Sequence, residues 1–117
     1  MKLTKKQAEM LSHRLEISYA LSEVYQDQFG TIERPEEFDR ELEALEQAVS
    51  SGRLDKPLTD LQKWMLQEAV EGSTWVGTAD PPGPARRVVI KTAEKIEKYL
   101  GLEPGAVDID CALIGNF

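Results

Sequence analysis

Apolar residues recur at helical spacing in four stretches of the chain, and a glycine closes or follows each stretch. In the first stretch, Leu3, Met10, Ile17 and Val24 recur every seven residues. Such spacing places the apolar side chains on one face of an α-helix. The pattern therefore predicts a mainly α-helical chain. The predicted helices run from Thr4 to Phe29, from Pro35 to Ser51, from Pro57 or Thr59 to Gly72, and from Pro84 or Ala85 to Leu100.

Short local motifs mark several helix ends. Thr4 with Gln7, and Thr59 with Gln62, have the spacing of a capping box, in which two side chains bind the first free backbone N–H groups of a helix. The glycines that follow the helices suit their C-terminal ends, because glycine adopts the left-handed conformation found there. These signals predict helix ends independently of how the helices pack.

The breadth of each apolar face predicts where its helix packs. The face of the first helix covers about half of its circumference, so this helix should contact at least two others or a second copy of the chain. The second helix has a narrow stripe, which suits an outer position, and the third is apolar over most of its surface, which suits the centre. We therefore predict a compact four-helix bundle that forms a single domain over residues 1–117.

The end of the chain carries a different pattern. Residues 107–111 alternate between apolar and polar side chains, which is typical of a β-strand. A single strand cannot satisfy its own backbone hydrogen bonds, and residues 74–78 are the other short stretch of this type. We expect an extended C-terminal segment in which residues 107–111 either pair with residues 74–78 as a minimal two-stranded β piece or lie over the helices.

The stretch from Gly72 to Pro84 is the most unusual loop candidate, and loops often carry function. Gly72 and Gly77 have the spacing of the two glycines of a phosphate-binding loop, but Thr78 and Ala79 stand where the motif requires Lys followed by Ser or Thr. Nucleotide binding is therefore not predicted. Trp75 either closes one end of the bundle as part of the core or belongs to a binding surface.

Residues suited to catalysis or metal binding are scarce. His13 is the only histidine and Cys111 the only cysteine, so an internal disulfide is excluded and a metal site of several ligands is hard to build. We therefore expect no cofactor and no enzymatic activity. The alternative is a metal-dependent enzyme that uses Asp108 and Asp110, which face the same way on a strand. Their more ordinary role is to keep an edge strand polar.

Charge is spread unevenly along the chain. The net charge is −7, and the excess of acidic residues lies between residues 31 and 83. The second predicted helix carries an acidic stripe of Glu36, Asp39, Glu43 and Glu46. The fourth carries a basic stripe of Arg87, Lys91, Lys95 and Lys98. The acidic stripe could meet the basic stripe within the fold or across a dimer, or it could face a basic surface on another protein.

These features favour a non-enzymatic protein–protein interaction module, such as a small adaptor, regulator or inhibitor. One form of this hypothesis is an acidic protein of a mobile element that blocks nucleic-acid-binding machinery. The alternatives are a homo-oligomeric structural protein that uses the first helix as its interface and a weak nucleic-acid binder that uses the basic stripe. We expect a cytoplasmic location and no membrane association, since no signal peptide or membrane-spanning stretch is evident.

Overall fold

Five α-helices make up most of the chain in a computed structural model, which describes residues 1–16, 18–30, 36–55, 57–71 and 86–108. The helices are α1 (Lys5–Glu16), α2 (Ser18–Phe29), α3 (Phe38–Ser51), α4 (Asp60–Glu71) and α5 (Arg86–Leu100). The prediction of a mainly helical fold is confirmed. The predicted single helix over Thr4–Phe29 is not confirmed, because α1 and α2 occupy that range and Ile17 between them lies outside the described residues. The predicted count of four helices is therefore not confirmed either. Within these ranges no helix is both long and apolar enough to cross a bilayer.

Both predicted capping boxes are confirmed. At the start of α1, the Thr4 backbone N–H donates to Gln7 Oε1 at 2.9 Å, and the Gln7 N–H donates to Thr4 Oγ1 at 3.2 Å. Thr59 and Gln62 exchange the same two hydrogen bonds at the start of α4, each at 3.1 Å. At the C-terminal end of α3, Gly52 has a φ of 80°, which glycine adopts without strain.

The helix α4 contacts each of the other four helices. It packs against α1, α3 and α5, and its Trp64 meets Tyr25 of α2 edge to face, with ring centroids 5.3 Å apart. The helix α1 also packs against α3, α4 and α5, so contacts within the chain account for its wide apolar face. The fully buried side chains include Leu11, Leu15, Leu21, Phe38, Val49, Met65, Leu66, Val70, Val89 and Ile96.

A buried arginine joins α1 to the end of α4. Arg14 is 1% exposed, and its Nη1 donates to the carbonyl oxygens of Ala69 at 2.9 Å and Val70 at 3.1 Å. Both carbonyls lie in the last turn of α4, where a helix has no backbone donors of its own and favours a positive charge. Burial lowers the pKa of Arg14 to about 10, which still leaves the guanidinium charged at neutral pH. Arg14 therefore acts as a C-terminal cap that is supplied by another helix.

The start of the chain runs beside the segment that follows α3. Lys2 and Arg53 form an isolated antiparallel β-bridge, in which the Leu3 N–H donates to the Gly52 oxygen at 2.8 Å. The predicted pairing of residues 74–78 with residues 107–111 is not confirmed. Residues 74–78 and 109–111 lie outside the described residues, and Val107 and Asp108 are not in a strand.

Two carboxylates hold the backbone of the segment after α5. Glu97, which is buried on α5, accepts a hydrogen bond from the Val107 N–H at 2.9 Å. Glu71, the last residue of α4, accepts one from the Asp108 N–H at 3.3 Å and another from Gln67 Nε2 at 3.1 Å. These contacts place the segment against the C-terminal ends of both helices.

The charge of Glu71 should cost stability at neutral pH. Burial raises the pKa of Glu71, and the nearby Glu68 and Asp108 raise it further, although hydrogen bonds from Gln67 and Asp108 oppose this. A carboxyl whose pKa is higher in the folded state binds more protons when folded, so its ionisation destabilises the fold above that pKa. We expect Glu71→Gln to be slightly more stable than the wild type at about pH 7, with the difference lost at about pH 4.

Urea unfolding at both pH values measures this difference. Glu103→Gln changes an exposed carboxylate just after α5 and serves as the control, which should match the wild type at both values. Because a glutamine oxygen can still accept the two hydrogen bonds, the comparison isolates the charge. A Glu71→Gln variant that is less stable than the wild type at about pH 7 would contradict the prediction.

Candidate functional site

The acidic stripe lies on the surface of α3 and of the turn before it. Glu36, Asp39 and Glu43 are exposed, and Glu46 is half-buried. Burial raises the pKa of Glu46, and the negative charges of Glu16 and Glu43 raise it further. The charges acting on Glu46 are thus of its own sign, and this face of the protein concentrates negative potential.

The basic stripe on α5 is only partly available. Arg87, Lys91 and Lys98 are exposed, but Lys95 is half-buried, and its Nζ donates to the Lys2 carbonyl at 3.0 Å and to Gln7 Oε1 at 2.9 Å. Lys95 therefore ties α5 to the start of α1. Lys91 also lies 3.6 Å from the Glu94 carboxylate on the same exposed face. A surface with so few available cations offers little for binding phosphates.

Only some of the other residues that the sequence singled out lie within the described residues. Trp75 and Asp110 lie outside the described residues, as does Cys111. Asp108 is exposed and His13 lies on the exposed side of α1. Across the described residues, no three His, Cys, Asp or Glu side chains are grouped so that they could hold a metal ion.

An aromatic cleft that the sequence did not single out lies where α2, α4 and the start of α3 meet. Its volume is about 400 Å³, and its described lining consists of Tyr25, Phe29, Glu37, Glu41, Thr59, Asp60, Leu61 and Trp64. The ring centroids of Tyr25 and Phe29 are 4.6 Å apart, and those of Phe29 and Trp64 are 6.1 Å apart. Phe29 is 57% exposed, and it is the one large hydrophobic side chain among the described residues that lies open to solvent.

A hydrogen-bonded chain fixes the indole of Trp64 in this cleft. Trp64 Nε1 donates to Gln28 Oε1 at 2.9 Å, and Gln28 Nε2 donates to Glu68 Oε1 at 2.8 Å. Glu68 is buried on α4 one turn after Trp64. The two helices are thereby linked at the side of the cleft, and the aromatic surface is held in place.

Carboxylates form the rim of the aromatic cleft. Glu37 and Asp60 are exposed, and Glu41 accepts a hydrogen bond at its Oε2 from Thr59 Oγ1 at 2.9 Å. The same Thr59 hydroxyl caps α4, so the motif that starts this helix also orients Glu41. In the described part of the lining there is no lysine or arginine, and Arg40 and Lys63, the only bases of α3 and α4, lie outside it.

A second cleft has a different character. It measures about 590 Å³ and lies between α3 and the segment after it, with Ala44, Ala48, Leu54 and Leu58 among its lining residues. Its charged residues Arg53 and Asp55 pair with each other at 3.4 Å. Its described lining contains no aromatic side chain. It is larger than the aromatic cleft, but it lacks the aromatic surface and the excess charge that would select a partner.

The chain matches no family model, no curated protein and no solved structure. Of the features described above, the aromatic cleft combines an exposed ring, a fixed indole and three carboxylates of one sign. Tyr25, Phe29 and Trp64 each lie on the apolar face of a predicted helix, and helical spacing alone does not distinguish the core from a partly open cleft.

Proposed function

We propose that the protein is a non-enzymatic interaction module that binds a protein partner through the aromatic cleft and the acidic stripe beside it. The exposure of Phe29 is the observation that carries this proposal. A ring that is 57% exposed, beside two other aromatic rings, leaves apolar surface in water that a partner would cover. Aromatic side chains in pockets commonly dominate the binding energy of protein interfaces.

The charge of the surface supports a basic partner. The acidic stripe begins at Glu36, next to Glu37 of the cleft, and continues along α3. Complementary charge of this kind raises the association rate and sets the orientation of a partner. A small adaptor, regulator or inhibitor fits this surface, including an acidic inhibitor of a nucleic-acid-binding protein.

The alternatives draw less support from the same observations. The apolar face of α1 packs against α3, α4 and α5 of its own chain, so its breadth does not require a second copy. Lys95 of the basic stripe is engaged with Lys2 and Gln7, which reduces the surface available for phosphates. The proposal therefore rests on the face formed by α2, α3 and α4.

A comparison of three immobilised baits tests the proposal. Wild type, Phe29→Ala and Leu58→Ala are used to capture proteins from the source cell, and the captured proteins are identified by mass spectrometry. Leu58 is an apolar residue of the second cleft and provides the matched control. We expect some proteins to be captured by wild type and by Leu58→Ala but about tenfold less by Phe29→Ala. A tenfold loss of affinity corresponds to about 1.4 kcal/mol. Equal capture by all three baits would remove the cleft as the binding surface.

A further inference from the structure

We infer that the aromatic cleft binds an arginine side chain from a basic segment of the partner. This inference rests on the proposed function and names the chemistry of the group that enters the cleft. It follows from three properties of the lining, namely its aromatic faces, its carboxylates and its size.

The aromatic rings favour a cation over a neutral apolar group. The faces of Trp64, Tyr25 and Phe29 carry partial negative charge, which attracts a cation placed over them. Their ring planes are inclined to one another by 37° to 89°, so they surround the cleft from different directions. A planar guanidinium can stack on such a ring and is less strongly hydrated than an ammonium group, which favours arginine over lysine.

The carboxylates supply the matching anions. Glu37, Glu41 and Asp60 share the rim, and in the described part of the chain none of them forms an ion pair with a basic side chain. Thr59 donates to one oxygen of Glu41, which orients that carboxylate at the rim. A guanidinium presents five N–H donors in a fixed plane, so it can bind a carboxylate while its stem lies along the aromatic rings.

The size of the cleft limits what can enter it. A volume of about 400 Å³ accommodates one long side chain with its flanking backbone. The acidic stripe continues from the rim along α3, so neighbouring basic residues of the same segment would also find carboxylates. The cleft and the acidic stripe together fit a basic segment that inserts one arginine.

Binding of a defined peptide tests the inference. The probe is a short fluorescent glycine–serine peptide that carries a few arginines, compared with the same peptide in which lysines replace them. Fluorescence anisotropy gives the dissociation constants, and NMR follows the indole N–H signal of Trp64. We expect the arginine peptide to bind about fivefold more tightly than the lysine peptide and to shift the Trp64 signal.

Two glutamate variants distinguish binding in the cleft from nonspecific attraction between charges. Glu41→Gln and Glu103→Gln each remove one charge, but Glu41 lines the cleft, whereas Glu103 belongs neither to the cleft nor to the acidic stripe. Glutamine at position 41 can still accept the hydrogen bond from Thr59, and circular dichroism is used to check that both variants fold. We expect Glu41→Gln to weaken binding about fivefold and Glu103→Gln by less than about twofold. Equal losses would overturn the inference, because they would indicate nonspecific attraction.

Arg34 is the arginine of the same chain that would compete with a partner arginine for the cleft. It belongs to the segment 31–35 between α2 and Glu36, which lies outside the described residues. If Arg34→Ala bound the peptide more than about fivefold more tightly, the arginine of the chain itself would be the occupant and the inference would fail. An unchanged dissociation constant supports a partner arginine.

The two proposals can fail separately. If wild type does not bind the arginine peptide but Phe29→Ala loses its captured partner, the arginine inference is wrong and the interaction module stands. If capture does not depend on Phe29, the proposed function itself is wrong. Peptide binding that depends on Glu41 and Phe29 supports both.

Discussion

Replacing Arg14 with alanine should lower the free energy of unfolding by about 3–5 kcal/mol, a large fraction of the stability of a typical domain. The loss has two sources. The carbonyls of Ala69 and Val70 lose the donor that caps the end of α4, and they remain buried. The side chain also leaves a cavity between α1 and α4, because Arg14 is 1% exposed.

Arg14→Met separates these two sources. Methionine fills most of the space of the arginine stem but cannot donate to the carbonyls, so its loss of stability reports the hydrogen bonds. We expect about half of the loss seen with alanine. Lys6→Ala, an exposed change on the same helix, is the control and should stay within about 0.5 kcal/mol of the wild type. Urea unfolding followed by circular dichroism gives all three values.

The opposite result has a clear physical meaning. Burying a guanidinium costs free energy, and apolar residues have replaced some buried ion pairs with a gain in stability. If Arg14→Met were as stable as the wild type, that burial cost would outweigh the two hydrogen bonds. The cap that Arg14 provides would then contribute no net stability.

The features that the sequence predicted correctly are local. The capping boxes at Thr4 and Thr59 involve residues three apart, so their geometry follows once a helix begins. The left-handed end of α3 at Gly52 likewise depends on a single residue. Apolar spacing was sufficient to predict helices, because the period of side chains around a helix is the same wherever the helix packs.

Arg14 was missed, although its position carried a signal. It follows Met10 by four residues and Leu11 by three, which places it on their buried face. A search for apolar residues passes over a charged residue on that face. Its partners are backbone carbonyls of α4, far along the chain, and no side-chain pattern marks a carbonyl as a binding partner.

The aromatic cleft could not be predicted from spacing for a related reason. Tyr25 and Phe29 belong to α2 and Trp64 belongs to α4, and each fits the apolar pattern of its own helix. Whether the rings form closed core or open cleft depends on how α2 lies against α4. That arrangement is set by contacts such as Trp64 with Gln28, which join residues distant in sequence.

Phe38→Ala and Phe29→Ala should differ sharply in stability, although both remove a ring from the same aromatic group. Phe38 is fully buried at the start of α3. Its ring packs edge to face with the Tyr25 ring, with ring centroids 5.8 Å apart. Its replacement should lower the free energy of unfolding by about 3–5 kcal/mol, because it leaves a cavity in the core. Phe29 is 57% exposed, so its replacement should cost about 1 kcal/mol or less.

Urea unfolding of the two variants, followed by circular dichroism, gives the comparison, and the NMR signal of the Trp64 indole N–H reports the local environment. A small cost for Phe29→Ala matters for function, because a ring that contributes little to folding needs another reason to occupy a cleft that carboxylates surround. If Phe29→Ala instead cost as much as Phe38→Ala, Phe29 would be part of the core. Its effect on partner capture could then be explained by unfolding, and the binding role of the cleft would depend on the Glu41 variant alone.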